Sequence, residues 1–506
     1  MSYPSATTKL LTHPLLGPLL GSHSPSTSTT QYRNLRYAHI PARFADPVLH
    51  ASQWAPGAED GVYDATKFGP SCPQHPSGFT YDLSLVGDAP ELEREMERRR
   101  EEEGAGEVDE LECVNAVVVV PDPGDSEAVE GKGEGLPVVV WVHGGGFSVG
   151  SNSWPQYDLS NFVHTSLSLG KPIIGVSINY RLGPFGFLAS TDLNLAGNYA
   201  LKDQICAFRW IKANISGFGG DAENVTAMGE SAGSICLSTL LHTTPSQSSP
   251  PFENLILMSG DPTLRRPRDM RWQDEFYASL IPKLSLSHLS RSERKSHLMG
   301  MSAEAIVSQI PPPQLLCHLL DSLANTFHGS QNAISSPLTS FSPISQILEA
   351  YNLPLTSSPR GVNSKGLYEG VLDLMSDLRF HLPSLALAHG LGSRARSYAF
   401  HQRNPIPGAP FHSYASHELD LAYLLQNHPS LDASPLGREM AAVFTAFAGG
   451  DGVEGGAMVV FGPDDDIRVT SEAEDDVQSR RDRMRMWEGV GWERWFGLGE
   501  LLQGCP

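Results

Sequence analysis

The pentapeptide Gly229-Glu230-Ser231-Ala232-Gly233 constrains this chain more than any other segment. Before it runs Asn224-Val225-Thr226-Ala227-Met228, short, apolar and partly β-branched, as a buried strand is. After it come Ile235, Leu237, Leu240 and Leu241, apolar at spacings that a helix can bury. A strand that passes straight into a helix through G-x-S-x-G is a nucleophile elbow, a turn tight enough to lift a serine clear of the sheet. Side chains at 229 and 233 would crowd such a turn, which is why glycine stands at both. The pentapeptide alone recurs by chance. Its flanks make it a structural signal, and they demand a sheet with helices packed behind it.

The neighbouring sequence meets that demand. Between 135 and 260, short apolar runs alternate with helix-period segments, as βαβ units do. Leu136 to Trp141, Ile173 to Tyr180 and Leu255 to Met258 read as strands beside the elbow strand. Ala200 to Ala213 reads as a helix with Leu201, Ile205, Phe208 and Ile211 near one face. Near-continuous apolar strands imply a mostly parallel sheet covered on both faces. Asn115 to Val120 is expected to add an antiparallel edge. The predicted class is therefore α/β, a mostly parallel central sheet flanked by helices, with insertions.

No linker or internal repeat divides the chain, so residues 1–506 are expected to form a single domain. A charged insertion lies near 91–110; its core, Leu92 to Gly106, reads as an exposed helix or a disordered loop. Pro121 to Gly135 reads as a surface loop, and Leu284 to Ser358 is Ser- and Pro-rich with weak periodicity. Leu367 to Phe380 regains helical character, Ser397 to His401 reads as a strand, and His417 to Leu425 as the start of a helix.

Charge narrows the partners. A formal net charge of −21 opposes general attraction to nucleic acid or anionic membrane. No run is long and apolar enough to span a bilayer, so no stable membrane insertion is expected. Leu10, Leu11, Leu15, Leu16, Leu19 and Leu20 hint at a secretory leader, but His13, Pro14, Gly17 and Pro18 interrupt them. The expected setting is cytoplasmic, with secretion as the alternative. Six cysteines in a chain of 506 residues are not a disulfide scaffold. Metal-site spacings, phosphate-binding loops and dinucleotide fingerprints are absent, so no metal and no cofactor is expected.

A serine hydroxyl needs a base, a group that orients the base, and donors for the oxyanion. Val138 to Val142 runs into His143-Gly144-Gly145-Gly146-Phe147, where glycines leave backbone N–H groups free to approach a substrate oxygen. With the N–H of Ala232, those of Gly145 and Gly146 would make an oxyanion hole.

These segments resemble the carboxylesterase type B family, whose members include fungal lipases and cholinesterase-like enzymes of the α/β-hydrolase fold. Tyr32 to Ala38 with Pro41 to Phe44 resembles the family's N-terminal signature. Asn179-Tyr180-Arg181-Leu182-Gly183-Pro184-Phe185-Gly186 resembles the segment after the oxyanion strand. Gly197-Asn198, Asp203-Gln204 and Phe218-Gly219-Gly220-Asp221 then lead into the elbow in the family's order. The resemblance is dense from 136 to 260, recognisable from 32 to 115 and patchy beyond.

The resemblance implies a serine esterase acting on a small-molecule ester, with Ser231 as nucleophile. Ser416-His417-Glu418-Leu419-Asp420-Leu421 is similar to the family's histidine segment and implies His417 as general base, with His412 and His401 as rivals. The acid is not marked by the family's acid-Gly turn between 300 and 350. Gln314 to Leu320 as the preceding strand would place Asp321 in the acid slot; a shifted placement puts Asn325 there, and Asp373 and Asp377 are fallbacks. Glu230 is expected to be a buried support rather than a second base. Cys72 and Cys113 resemble a pair that is bridged in secreted members and would stay reduced in the cytosol. Activity is expected to fall below about pH 6.5 as the imidazole protonates. Two other readings remain: an inactive or weakened binding scaffold, and an amidase or lactonase on the same machinery.

Overall fold

The computed structural model describes residues 7–50, 61–122, 135–243, 250–261, 268–309, 350–351, 369–370, 372–374, 376–432, 434–451 and 457–471. Its centre is the strand Leu136–Val142, in which Val138, Val139, Val140, Trp141 and Val142 are all fully buried. Burial on both faces follows from its neighbours, Ile174–Ile178 on one side and Gly220–Glu230 on the other, both parallel to it. The two-residue period of a strand then divides its side chains. Val138, Val140 and Val142 pack with Val176, Ile178, Val225 and Ala227 on one face. Val139 and Trp141 pack with Met228, Ile256 and Met258 on the other. Each such side chain contributes about 1.5–3 kcal/mol when fully buried.

Among the described residues the central sheet has nine strands. Along its main path the order is Thr7–His13, Gly17–Ser24, Thr29–Arg36, Asn115–Pro121, Ile174–Ile178, Leu136–Val142, Gly220–Glu230 and Asn254–Met258; Tyr63–Ala65 pairs with Gly17–Ser24 off that path. The site-bearing half is parallel and the N-terminal half antiparallel. The helix Tyr199–Asn214, through Ala207, Phe208 and Ile211, and the elbow helix Ser231–Thr243, through Leu237 and Leu240, cover one face. Helices Ser160–Ser168, Leu419–Leu425 and Pro435–Ala448 cover the other.

Two expectations need correction, and a segment to which no element was assigned takes a definite form. Asn115–Pro121 is antiparallel as expected but interior, paired with Thr29–Arg36 and Ile174–Ile178 on its two sides. The interrupted leucines near the start form a β-hairpin, its turn held by Leu15 and Leu16 N–H groups donating to His13 Nδ1 at 3.1 and 3.0 Å. Part of the charged segment is the helix Pro90–Glu102, and it is not wholly exposed: Leu92, Met96 and Arg99 are buried, and Arg99 meets Asp158 at 2.6 Å and Glu95 at 2.9 Å. The strand Ser397–Phe400 forms where expected, in a separate three-stranded sheet with Ala457–Phe461 and Ile467–Ser471. No helix among the described residues is long and apolar enough to cross a membrane.

Candidate active site

The elbow is formed as its sequence demands. The strand ends at Glu230, the helix begins at Ser231, and Ser231 holds φ 48°, in the left-handed region. A non-glycine residue there stores about 1–3 kcal/mol of strain, which the surrounding packing must hold. Gly233 makes the close approach possible, because a Cβ there would overlap the Val142 carbonyl oxygen. One at Gly229 would lie 2.8 Å from the Gly233 carbonyl carbon.

The glycine turn closes over the elbow from the neighbouring strand. A Cβ at Gly144 would overlap the Glu230 carboxylate and lie 3.1 Å from Ser231 Cβ. Gly145 and Gly146 have φ 89° and 60°, and Ser148 and Val149 N–H groups donate to the Gly145 carbonyl at 3.0 and 3.1 Å. Among the described residues no acceptor meets the N–H of Gly145 or Gly146. The N–H of Ala232 stands in the first turn of the elbow helix, where no intrahelical acceptor exists. Backbone donors are thus available on both sides of Ser231.

Deeper in, Tyr180 stacks on His143 with ring centroids 4.6 Å apart, and its hydroxyl donates to the His143 carbonyl at 2.7 Å. Burial lowers the His143 pKa to about 4, so this histidine is a neutral spacer. Arg181 reaches Asp203 through Nε at 2.8 Å and Nη2 at 2.7 Å, both side chains fully buried. This pair ties the Asn179–Leu182 segment to the helix Tyr199–Asn214.

His417 arrives through the other layer. It lies two residues before the helix Leu419–Leu425, whose Leu419, Leu421, Leu424 and Leu425 pack in the same core as Trp141. Its Nε2 lies 2.9 Å from Glu230 Oε1. Neither Glu230 oxygen receives a well-directed hydrogen bond, so this contact is an ion pair rather than an aligned N–H···O bond. Among the described residues no hydrogen bond joins His417 to Ser231. The ring therefore sits at the elbow, against the residue next to the serine.

Carboxylates crowd this histidine. Asp82 accepts from Tyr157 Oη at 2.6 Å and Gln156 Nε2 at 2.9 Å. Asp420 accepts from Tyr398 Oη at 2.9 Å and the Leu421 N–H at 3.0 Å. Glu418 is buried at φ 65° and hydrogen-bonded to Asp82. Burial is the main force that raises these acids, Asp82 to about 6 and Glu230, Glu418 and Asp420 by direction. For His417, burial opposes the charged ring, but the Glu230 charge and contact outweigh it, with Asp420 and Asp82 adding; its pKa is raised.

The remaining candidates scatter. Asp321 and Asn325 lie outside the described residues. Asp373 is exposed, while Asp377 is buried and accepts from Tyr351 Oη at 3.0 Å. His412 is exposed with Nδ1 3.1 Å from the Ile406 carbonyl, and the His401 N–H donates to the Phe461 carbonyl at 2.7 Å. Cys72 and Cys113 are buried, unbridged and hydrogen-bonded to each other. Sequence reasoning missed Asp82, which no local pattern marks, and gave Glu418 no role. Glu230, His417 and Glu418 place one donor atom each within 4.8 Å of the others.

An α/β-hydrolase sheet with a serine elbow, a glycine turn of free donors and a histidine at the elbow defines a class of protein. Residues 5–344 match the carboxylesterase family, and the chain belongs to it. It is 35% identical over 254 residues to Lipase 3 of Yarrowia lipolytica, covering 50% of this chain and 46% of that protein. It is 38% identical over 207 residues to para-nitrobenzyl esterase of Bacillus subtilis, covering 40% and 35%. The chain spans about half the length, or less, of the curated relatives it matches. Among solved structures, a thermophilic PNB esterase superimposes with a TM-score of 0.65 at 23% identity, over 94% of this chain and 100% of that one. That likeness supports the fold.

Proposed function

We propose that the chain is a serine carboxylic-ester hydrolase that works through an acyl-enzyme on Ser231. The observation that carries this reading is Ser231 at φ 48° on the elbow, facing a glycine turn whose Gly145 and Gly146 N–H groups lack acceptors among the described residues. The names of its relatives, a lipase and an esterase, support the same chemistry.

In the proposed cycle, His417 turns from Glu230 to Ser231 and takes the hydroxyl proton as Oγ bonds to the ester carbonyl carbon. Catalytic hydrogen bonds often tighten only when substrate is bound, so the resting contact is compatible with this step. The carbonyl electron pair moves onto oxygen, held by the N–H groups of Gly145, Gly146 and Ala232. The alcohol leaves with the proton from His417, and water repeats the sequence to release the acid. Removing one such donor typically costs about 10²–10³ in turnover.

Asp321 is the proposed acid partner of His417. Asn325 in the same slot is the alternative, with Asp373 and Asp377 as fallbacks. Asp321→Asn tests it: loss of the orienting acid typically costs about 10⁴ in turnover in a serine protease. The substrate is a small-molecule ester; nucleic acid and stable membrane insertion have no role. We place the protein in the cytoplasm, where Cys72 and Cys113 stay thiols, with secretion as the alternative; thiol titration of the denatured native-source protein distinguishes the two.

The decisive experiment is hydrolysis of short-chain p-nitrophenyl esters by wild type and Ser231→Ala, with fluorophosphonate labelling alongside. Turnover and labelling that both vanish in the variant support the serine hydrolase. Folded wild type without turnover or labelling would favour a binding scaffold, and amide or lactone cleavage in preference to esters would favour those classes.

A further inference from the structure

We propose that Glu230, His417 and Glu418 form a binding site for a divalent transition-metal cation of the zinc class, and that its occupancy blocks Ser231 chemistry. The three side chains offer one imidazole nitrogen and two carboxylate oxygens, all within 4.8 Å of one another. Glu230 is fully buried, and beyond the 2.9 Å contact of Oε1 with His417 its oxygens meet no hydrogen-bond donor among the described residues. A buried carboxylate left in that condition is costly unless a cation or donor meets it. Asp82 and Asp420 lie close enough to act on the same groups, and among the described residues no Lys or Arg pairs with any of these four acids. His417 is the one cationic partner they share, and it carries at most a single charge.

The donor set selects the metal. A mixed nitrogen and oxygen site suits zinc and copper, whereas calcium and magnesium favour oxygen alone. Zinc bonds of about 2.0–2.2 Å put tetrahedral ligand atoms about 3.4 Å apart. The His417 Nε2–Glu230 Oε1 separation of 2.9 Å must open by about half an ångström to reach that spacing, and His417, with 29% of its side chain exposed, is the member that can move. The other two donors are fixed. Gly144 lies against the Glu230 carboxylate, and Glu418 is set by its φ of 65° and its bond to Asp82. Asp82 is thus the outer carboxylate that orients a ligand, as in many metal sites.

The consequence for catalysis is direct. A cation on Nε2 occupies the lone pair needed for the Ser231 proton, so bound metal inhibits, and a chelator restores the base. This inhibitory part rests on the proposed hydrolase activity, but the binding does not. The test is calorimetric titration of zinc chloride into the chelator-treated full chain as wild type, Ser231→Ala, Glu418→Gln and His417→Ala. Ester hydrolysis is followed in parallel for wild type and Glu418→Gln, each inhibition being scaled to that protein's own rate. Expected are one zinc per chain in wild type and in Ser231→Ala, at least tenfold weaker binding in Glu418→Gln and His417→Ala, and inhibition reversed by EDTA. Absence of saturable one-to-one binding, or unchanged binding in both ligand variants, overturns the site. Binding without inhibition in an active enzyme overturns the blockade. Binding by a wild type that hydrolyses nothing leaves the site standing and removes the hydrolase reading instead.

Discussion

At the scale of single residues, the ion pair between His417 and Glu230 sets how His417, the proposed base, responds to pH. The His417 pKa is raised, because the Glu230 charge outweighs burial, and only the neutral ring can accept the Ser231 proton. Activity should therefore rise with pH through a midpoint above the ordinary 6.5 of histidine, higher than composition-level reasoning implies. Glu230→Gln removes the anion, so the acid limb of kcat/KM should move to lower pH; a limb that stays in place would mean the pair does not govern the base. Gly144 carries a second expectation. A methyl group there overlaps the Glu230 carboxylate and crowds Ser231, so Gly144→Ala should cut kcat by about 10² or more while leaving the fold intact, checked by kinetics beside circular dichroism. The serine elbow and the glycine turn were legible from short patterns, since tight turns leave marks in adjacent residues, whereas His417 was indicated only by resemblance to the family's histidine segment. The acids around His417 were not. Asp82 and Glu418 meet across more than 300 residues of chain, and no local pattern records that.

Among the elements, the buried Arg181–Asp203 pair joins the segment behind the glycine turn to the helix that covers the sheet. Both side chains are fully buried, so truncating one strands the other's charge. Asp203→Ala should cost about 3–5 kcal/mol, measured by urea unfolding, and a loss below about 1 kcal/mol would show the pair to be dispensable. Strands at 136–142 and 174–178 were readable because burial on both faces makes a continuous apolar run. The strand Thr29–Arg36 was not, and so its neighbour Asn115–Pro121 was expected at an edge. Buried polar residues hide it: Gln31 donates to Asp158 at 2.9 Å, and Arg33 to Glu103 at 2.8 Å. Their hydrogen bonds satisfy burial without producing an apolar pattern. The helix Pro90–Glu102 misleads in the same way, since Arg99 is buried through its partners despite a charged sequence.

Across the whole molecule, the site depends on two layers meeting at one sheet. Ser231 and the glycine turn come from the parallel strands, and His417 stands two residues before a helix that packs in the same core as Trp141. That face is completed by residues far apart in sequence, Trp141 and Met228 with Leu419 and Phe444. Closing loops of this length is slow relative to local strand and helix formation. On refolding from denaturant, secondary structure should therefore return before esterase activity, and on gentle denaturation activity should go first. Simultaneous recovery of circular dichroism and turnover would contradict this order. The packing of one helix beneath a tryptophan thus acts as a timer: a chain still being synthesised carries its serine well before it can use it.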